Sequence, residues 1–347
     1  MRRAVILLLL FLGACAPRLQ APGTDAAVPA LAADHLVMAD GVQLPLRIWL
    51  PAGQPKAVIL ALHGINDYSN AFEAPATRWA SAGIATYAYD QRGFGETQQR
   101  GLWPGEARLV DDLRTAAALI AARHPGVPLY LLGESMGGAV VMAAAASPQP
   151  PQATGLILAA PAIWGRETQG PLQSSLLWTA AHTMPWMTLT GRGLNIKPSD
   201  NIDMLRKLSR DPLVIKETRV DTLYGLVNLM DSAYEAAPRL PPHTLILYGS
   251  REDVMPESAV LSMLHRLPPR PADRPLVALY PRGYHMLLRD LDAGIVLDDI
   301  AAWISHPGAP LPSGGDQLAA AVLASGHDSL KVDADMVQAE KPGTAIR

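Results

Sequence analysis

Residues 128–147 read PLYLLGESMGGAVVMAAAAS, and the rest of the chain is organised around them. An apolar run at 129–132 leads directly into GESMG at 133–137, and an Ala-rich segment follows. This order predicts a buried strand, a sharp turn and a helix, with Ser135 at the turn. The turn strains the backbone of the serine and needs glycines where strand and helix nearly touch. The stretch therefore indicates a nucleophilic serine, whereas the same five letters alone also occur in ordinary loops.

Strands and helices alternate on both sides of this stretch. Further strands are predicted from apolar runs at 56–62, 84–89, 155–160, 243–248 and 276–280. Helices are predicted at 71–82, 105–123, 256–267 and 291–304, and a hairpin is predicted within 34–50 around Asp40-Gly41. This alternation predicts an α/β fold with a mostly parallel, eight-stranded sheet and helices on both of its faces.

The alternation stops between residues 163 and 240, which predict a helical insertion. Three of the seven tryptophans lie in it, at Trp164, Trp178 and Trp186. An insertion at this point would lie over the carboxyl edge of the sheet, where open α/β folds bind ligands. We therefore expect a lid with an apolar underside, and we expect these tryptophans to contact the substrate. The alternative is that the apolar residues are the core of a small subdomain.

Residues 1–14 predict a signal peptide, because a basic start precedes a short apolar run and then small residues. The letters LGAC at 12–15 resemble the bacterial lipobox, in which the cysteine is acylated and becomes the new N-terminus. Cys15 is the only cysteine of the chain, so no internal disulfide can form. We expect a lipid anchor at Cys15 in a bacterial cell envelope. By resemblance, Ala16 after it favours the outer membrane, facing the periplasm. An ordinary secretory signal with a chance cysteine is the alternative.

Composition predicts the remaining boundaries. Residues 15–33 are rich in Ala and Pro and predict a flexible tether, residues 34–305 predict one large domain, and the polar residues 306–347 predict a mostly disordered tail. The formal net charge is −3 and no basic cluster occurs, which argues against nucleic acid as a partner. Neither a metal-ligand pattern nor a phosphate-binding glycine loop occurs, so no metal and no other cofactor is expected.

Five blocks resemble the α/β-hydrolase superfamily and, within it, the monoacylglycerol lipase and lysophospholipase group of serine aminopeptidase S33-like hydrolases. They are HGINDYS at 63–69, DQRGFG at 90–95, GESMGG at 133–138, YGSRED at 248–253 with Pro256, and GYH at 283–285. The resemblance covers roughly residues 34–305. It implies a serine hydrolase that cleaves carboxylic esters of small amphipathic, lipid-like substrates through an acyl-enzyme.

A serine hydroxyl needs a base to take its proton, and the base needs an anion behind it. His285 is the expected base, because it follows the last strand and the order serine, acid, histidine is that of this fold. His63 is the main rival, but it is expected to shape the loop after its strand. The acid stays open between Glu252, which the family's spacing favours, and Asp253, which is the commoner residue type at this position.

Attack on an ester creates an oxyanion, which two backbone N–H groups are expected to bind. They belong to Met136, which follows the nucleophile, and to Ile65, in the loop after a preceding strand. The same machinery could instead perform acyl transfer or perhydrolysis. A non-catalytic envelope binding protein that keeps the fold is a further alternative.

Overall fold

The computed structural model describes residues 16–191, 193–325 and 329–331. The predicted signal peptide and Cys15 lie outside these residues. In chain order, the strands are β1 (Ala30–Leu31), β2 (His35–Val37), β3 (Gln43–Trp49), β4 (Ala57–Leu62), β5 (Ile84–Tyr89), β6 (Leu129–Glu134), β7 (Gly155–Ala159), β8 (Thr188–Leu189), β9 (Thr218–Arg219), β10 (Thr244–Gly249) and β11 (Leu276–Tyr280). The α-helices are α1 (Glu73–Ser81), α2 (Glu106–Arg123), α3 (Met136–Ala145), α4 (Pro171–Thr183), α5 (Ile202–Arg210), α6 (Val220–Ala236), α7 (Glu257–His265), α8 (Ala293–Ser305) and α9 (Gly315–Ala324).

Nine of the strands form one sheet in the order β1-β2-β3-β5-β4-β6-β7-β10-β11. The strands from β5 to β11 in this order are parallel, and β1, β2 and β3 pair antiparallel at one edge. All six residues of β4 are buried, as expected for a strand covered on both faces. The predicted α/β fold with a mostly parallel sheet is confirmed. The sheet has one strand more than the eight predicted, because Ala30 and Leu31 extend its antiparallel edge.

Residues 16–33 differ from the flexible tether that their composition predicts. Most of this segment lies along the domain. The Gln20 backbone N–H donates to the Trp103 carbonyl at 2.9 Å, the Ala27 N–H donates to the Ala39 carbonyl at 3.0 Å, and β1 joins the sheet. Backbone groups pair whatever the side chain, so an Ala- and Pro-rich composition did not reveal these bonds.

The C-terminal segment also differs from the disordered tail that its polar composition predicts. Helix α9 packs on β11 and buries Ala319 and Val322. Leu330 is buried as well, and the Glu257 carboxylate accepts a hydrogen bond from the Ser329 hydroxyl at 2.8 Å. The weak apolar run at 318–324 was therefore the signal of a docked helix, and residues 332–347 lie outside the described chain.

The insertion between β7 and β10 is helical, as predicted. It contains α4, α5 and α6 together with the two-stranded sheet of β8 and β9. Its loops reach the carboxyl edge of the main sheet: Ile215 N–H donates to the Asn66 carbonyl at 2.9 Å, and Met286 N–H donates to the Pro198 carbonyl at 2.9 Å. No helix within the part of the chain that the structure describes is long and apolar enough to cross a bilayer.

Candidate active site

Ser135 stands at the turn between β6 and α3, where the sequence places it. Its backbone has φ 53° and ψ −116°, a conformation that residues other than glycine rarely adopt. A Cβ added at Gly133 would lie 2.3 Å from the Gly137 carbonyl carbon, and one added at Gly137 would lie 2.1 Å from the Leu62 carbonyl oxygen. Side chains at these two positions would push the strand and the helix apart, so both must be glycine.

The loops after β6, β10 and β11 bring a serine, a carboxylate and an imidazole together. The Ser135 hydroxyl lies 2.9 Å from His285 Nε2, and Glu252 Oε2 lies 2.8 Å from His285 Nδ1. Parallel strands present their carboxyl ends at the same edge of the sheet, and this explains how side chains 150 positions apart meet. All three are buried, so solvent competes little for these hydrogen bonds.

The geometry decides between the two candidate acids. The second oxygen of Glu252, Oε1, accepts hydrogen bonds from the N–H groups of Val254 at 2.7 Å and Met255 at 2.9 Å, which fixes the carboxylate behind the imidazole. The Asp253 carboxylate instead accepts a hydrogen bond from the backbone N–H of Lys197, in the insertion, at 2.8 Å. Glu252 is therefore the residue that could orient His285.

The two proposed oxyanion donors are adjacent to the serine. Met136 is the first residue of α3, so its N–H has no partner within the helix and lies at the positive end of the helix dipole. Ile65 follows Gly64, whose added Cβ would lie 3.3 Å from the Ser135 Cβ. Among the described residues, neither N–H donates a loop or cap hydrogen bond. Both are thus free to bind a negatively charged oxygen.

His63 is held as a structural group, in agreement with its sequence interpretation. It is fully buried; its Nδ1 donates to the Gly64 carbonyl at 2.8 Å, and its Nε2 accepts the Gln91 N–H at 3.0 Å. Burial lowers the pKa of His63, so the ring stays neutral. The ring ties the loop after β4 to the loop after β5 and is not available as a base.

The sequence interpretation missed a buried arginine that links two loops of the site to the last residue of β6. The two terminal nitrogens of Arg289 contact Glu134 at 2.8 Å and Asp67 at 2.8 Å. Glu134 precedes the serine, Asp67 lies in the loop of Ile65, and Arg289 lies four residues after His285. The side chains of Arg289, Glu134 and Asp67 are each less than a tenth exposed. We name Arg289, Glu134 and Asp67 the arginine triangle. No sequence pattern indicates it, because its members are far apart in the chain.

The charges of the site set the protonation of the imidazole. Burial lowers the pKa of His285, but the nearby carboxylates of Glu252 and Glu134 outweigh burial, so that the pKa is raised above its ordinary value. Burial raises the pKa of Glu252, but the charge and hydrogen bond of His285 outweigh it, and that pKa is lowered. The acid therefore stays ionised at neutral pH, as an anion behind a base must.

We expect the pH dependence of kcat/KM to show the effect of the Glu134 carboxylate on the pKa of His285. A base must be neutral, so kcat/KM should fall as the pH falls through the raised pKa of His285. In Glu134→Gln the carboxylate that helps to raise this pKa is gone, and the acid limb should move to lower pH. The measurement is kcat/KM on a soluble ester between about pH 5 and 9. Asp111→Asn, which removes an exposed carboxylate on α2, should leave the limb in place; an unmoved limb in Glu134→Gln would contradict the electrostatic interpretation.

The three tryptophans of the insertion differ in how far they are buried. Trp164 is half-buried and packs against the domain core. Trp178 is 53% exposed and stacks on His182 with ring centroids 4.2 Å apart, and Trp186 is 58% exposed. Trp178 and Trp186 are therefore mainly solvent-exposed, and their contact with the substrate stays a prediction.

Within the ranges that the structure describes, no group of three or more His, Cys, Asp or Glu side chains could hold a metal ion.

Comparison with known proteins agrees with this geometry. The family described as serine aminopeptidase, S33, matches residues 53–292. The monoglyceride lipase of Rattus norvegicus is 30% identical over 278 residues, which cover 78% of this chain and 90% of that protein. The monoacylglycerol lipase of Mycolicibacterium smegmatis is 25% identical over 279 residues, which cover 77% of this chain and 94% of that protein.

Solved structures share the fold. A soluble variant of the monoglyceride lipase from Saccharomyces cerevisiae, in complex with a substrate analog, superposes with a TM-score of 0.66 at 19% identity, over 82% of this chain and 98% of that one. The monoacylglycerol lipase of Paleococcus ferrophilus gives a TM-score of 0.62 at 20% identity, over 75% and 98%. The chain therefore belongs to the serine aminopeptidase S33 family and is a carboxylic ester hydrolase with the α/β-hydrolase fold.

Proposed function

We propose that the protein cleaves carboxylic esters of lipid-like substrates, of the monoacylglycerol and lysophospholipid class, through an acyl-enzyme on Ser135. The observation that carries the proposal is the continuous hydrogen-bonded chain from the Ser135 hydroxyl through His285 to Glu252. A non-catalytic binding protein would have no need of a strained serine aligned with an imidazole and a buried carboxylate.

The reaction follows from the positions of these groups. Ser135 Oγ attacks the ester carbonyl carbon while its proton moves to His285 Nε2, and Glu252 stabilises the resulting imidazolium. The N–H groups of Ile65 and Met136 bind the oxyanion of the tetrahedral intermediate. The intermediate collapses when His285 gives its proton to the leaving alcohol oxygen. Water then attacks the acyl-enzyme with His285 as base, and the free acid leaves while the proton returns to Ser135.

Support for a lipid-like acyl group comes from the insertion and from the relatives. Exposed apolar side chains are concentrated between Leu172 and Ile196, in the insertion whose loops contact the carboxyl edge of the sheet. The relatives named above are monoacylglycerol lipases, and a further relative, the phospholipase YtpA of Bacillus subtilis, is 29% identical over 184 residues. An apolar acyl chain is the substrate part that such surfaces favour.

An ester series of increasing acyl length tests the substrate class. Each methylene that the enzyme buries contributes about 0.8 kcal/mol, so kcat/KM can rise up to about fourfold per carbon until the site is filled. We expect it to rise from acetyl to octanoyl esters and 1-monoacylglycerols to be hydrolysed. A maximum at acetyl with no release from monoacylglycerols would contradict the proposal. Product analysis with added alcohol or hydrogen peroxide separates hydrolysis from acyl transfer and perhydrolysis.

We also propose that Cys15 carries a lipid anchor in a bacterial cell envelope, on the outer membrane and facing the periplasm. The support is the lipobox-like sequence at 12–15 after a signal-like segment. More than one acyl chain on the cysteine would make the attachment stable, since a single chain binds a bilayer only marginally. An anchored enzyme would meet its amphipathic substrates in the bilayer.

A further inference from the structure

The N-terminal segment is bound to the domain almost from its first described residue. We name residues 18–31 the strap. Its Gln20 is buried, with the side-chain amide donating to the carbonyls of Gln98 at 3.3 Å and Gln99 at 3.2 Å, and the Gln20 carbonyl accepting from Arg108 at 2.6 Å. Further along, Gly23 N–H donates to the Asp40 carboxylate at 3.0 Å. A segment held in this way cannot serve as a long free leash.

The strap begins at the lid. Arg18 N–H donates to Asp221 Oδ2 at 3.3 Å, at the first turn of α6. The Asp221 carboxylate is buried and also holds the Arg219 guanidinium at 2.9 and 2.5 Å. Asp221 N–H donates in turn to the Pro185 carbonyl at 3.2 Å, and Val220 N–H to the Met187 carbonyl at 2.8 Å. Only two hydrogen bonds therefore separate Arg18 from the segment around Trp186.

That segment belongs to an exposed apolar surface, which we name the lid face. It consists of nine large apolar side chains that are each at least 36% exposed: Leu172, Leu176, Trp178, Met184, Trp186, Met187, Leu189, Leu194 and Ile196. They are nine of the fifteen such exposed side chains in the described parts of the chain. Residues 168–191 contain no Asp, Glu, Lys or Arg. A concentration of exposed apolar side chains in one segment of this kind marks an interaction site.

The length of chain before the strap indicates what covers the lid face. Cys15 is three residues before Arg18, so its Cα lies at most about 11 Å from that of Arg18. This is about a third of the hydrocarbon thickness of a bilayer. Acyl chains on Cys15 would therefore enter the membrane beside the lid face. Leu19, which is 57% exposed and pairs with Trp103, adds an apolar side chain next to Arg18.

We propose that the strap fixes the lipid anchor beside the lid face, so that the bilayer to which Cys15 is attached covers that face. The proposal rests on the lipid anchor proposed above, and it assigns an orientation: the catalytic edge of the sheet faces the membrane. Anchor and lid face then act as two membrane contacts of one rigid surface, which bind more firmly than either alone. A monoacylglycerol or lysophospholipid could pass from the bilayer to Ser135 without crossing water.

Depth-dependent quenching tests the orientation in the full-length, lipidated protein. A bimane label is placed at Leu176→Cys or, as matched control, at Gln149→Cys, an exposed position at the opposite edge of the sheet. The protein is reconstituted in phosphatidylcholine vesicles, with and without lipids brominated near the top of the acyl chain. An interfacial apolar face enters a bilayer by about 5–10 Å, so bromine should reduce the fluorescence at position 176 at least about twofold and leave position 149 unchanged.

A longer connection between Cys15 and the strap tests whether the strap holds the anchor beside the lid face. Ten Gly and Ser residues inserted between Pro17 and Arg18 add about 18 Å of flexible chain and leave the strap intact. Quenching at position 176 should weaken, and hydrolysis of vesicle-borne monoacylglycerol should fall while hydrolysis of a soluble ester is unchanged. The same insert after Gly53, in an exposed loop, should change neither.

Several outcomes would overturn the proposal. Labelled fatty acid should be incorporated into the native protein and not into Cys15→Ser. Equal incorporation into both would show that Cys15 carries no lipid anchor. If the protein is acylated but the label at position 176 is not quenched, the proposed orientation on the membrane is wrong. Energy transfer between labels at 176 on sparsely loaded vesicles would assign the lid face to a second copy of the chain. Hydrolysis of a soluble short-chain ester by the same preparations tests the catalytic proposal separately.

Discussion

Ser135→Ala is expected to lower kcat on any ester by about 10⁴- to 10⁶-fold, because without the nucleophile only binding and the oxyanion donors remain. The fold should survive, since the change removes one oxygen, and Ala160, with a φ of 42°, shows that an alanine of this chain also adopts a positive φ. The measurements are kcat and KM on a monoacylglycerol, the stoichiometry of labelling by a fluorophosphonate, and the thermal unfolding midpoint.

A second buried serine provides the control. Ser250 lies in the loop after β10, and its hydroxyl is buried with no hydrogen-bond partner among the described residues. Ser250→Ala should keep both turnover and labelling. If the fluorophosphonate still labelled Ser135→Ala at one equivalent, another residue would be the nucleophile and the proposed mechanism would be wrong.

Glu252→Gln is expected to lower kcat by about 10⁴-fold, the loss typical of a triad acid replaced by its amide. The amide can offer N–H to His285 Nδ1 and so favour the tautomer that cannot accept a proton from Ser135. Its oxygen can still accept the N–H groups of Val254 and Met255, so the loop should keep its shape. The measurement is kcat on a soluble ester, with circular dichroism as a check on folding.

The neighbouring carboxylate makes the matched control. Asp253 contacts the backbone of Lys197 and not the imidazole, so Asp253→Asn should retain nearly all of the activity. The reverse pattern, with a large loss in Asp253→Asn and a small one in Glu252→Gln, would transfer the role of the acid to Asp253.

The sequence predicted the fold and the serine–histidine pair because both depend on local patterns. Buried runs define parallel strands, and glycines around Ser135 define the turn; parallel strands then bring loop residues to one edge. The choice between Glu252 and Asp253 could not be made with certainty, because adjacent residues of a loop point in different directions and only the three-dimensional turn decides which one reaches His285.

Other features could not be predicted from the sequence, because they depend on contacts between residues that are far apart in the chain. The contact between Arg289 and Glu134 spans 155 positions, and neither residue belongs to a periodic pattern. The strap is held mainly through backbone atoms, which composition does not register. The tryptophans of the insertion were predicted from their apolarity to contact the substrate, but apolarity alone did not tell that Trp178 and Trp186 are more than half exposed.

The arginine triangle has a consequence for a chain that is still being made. The nucleophile and the proposed oxyanion donors lie before residue 137, whereas the imidazole and the guanidinium that join them lie at residues 285 and 289. Until then Glu134 and Asp67 have no cation between them, and Ser135 has no base. A chain synthesised only as far as residue 284 therefore lacks the base and cannot yet hydrolyse an ester.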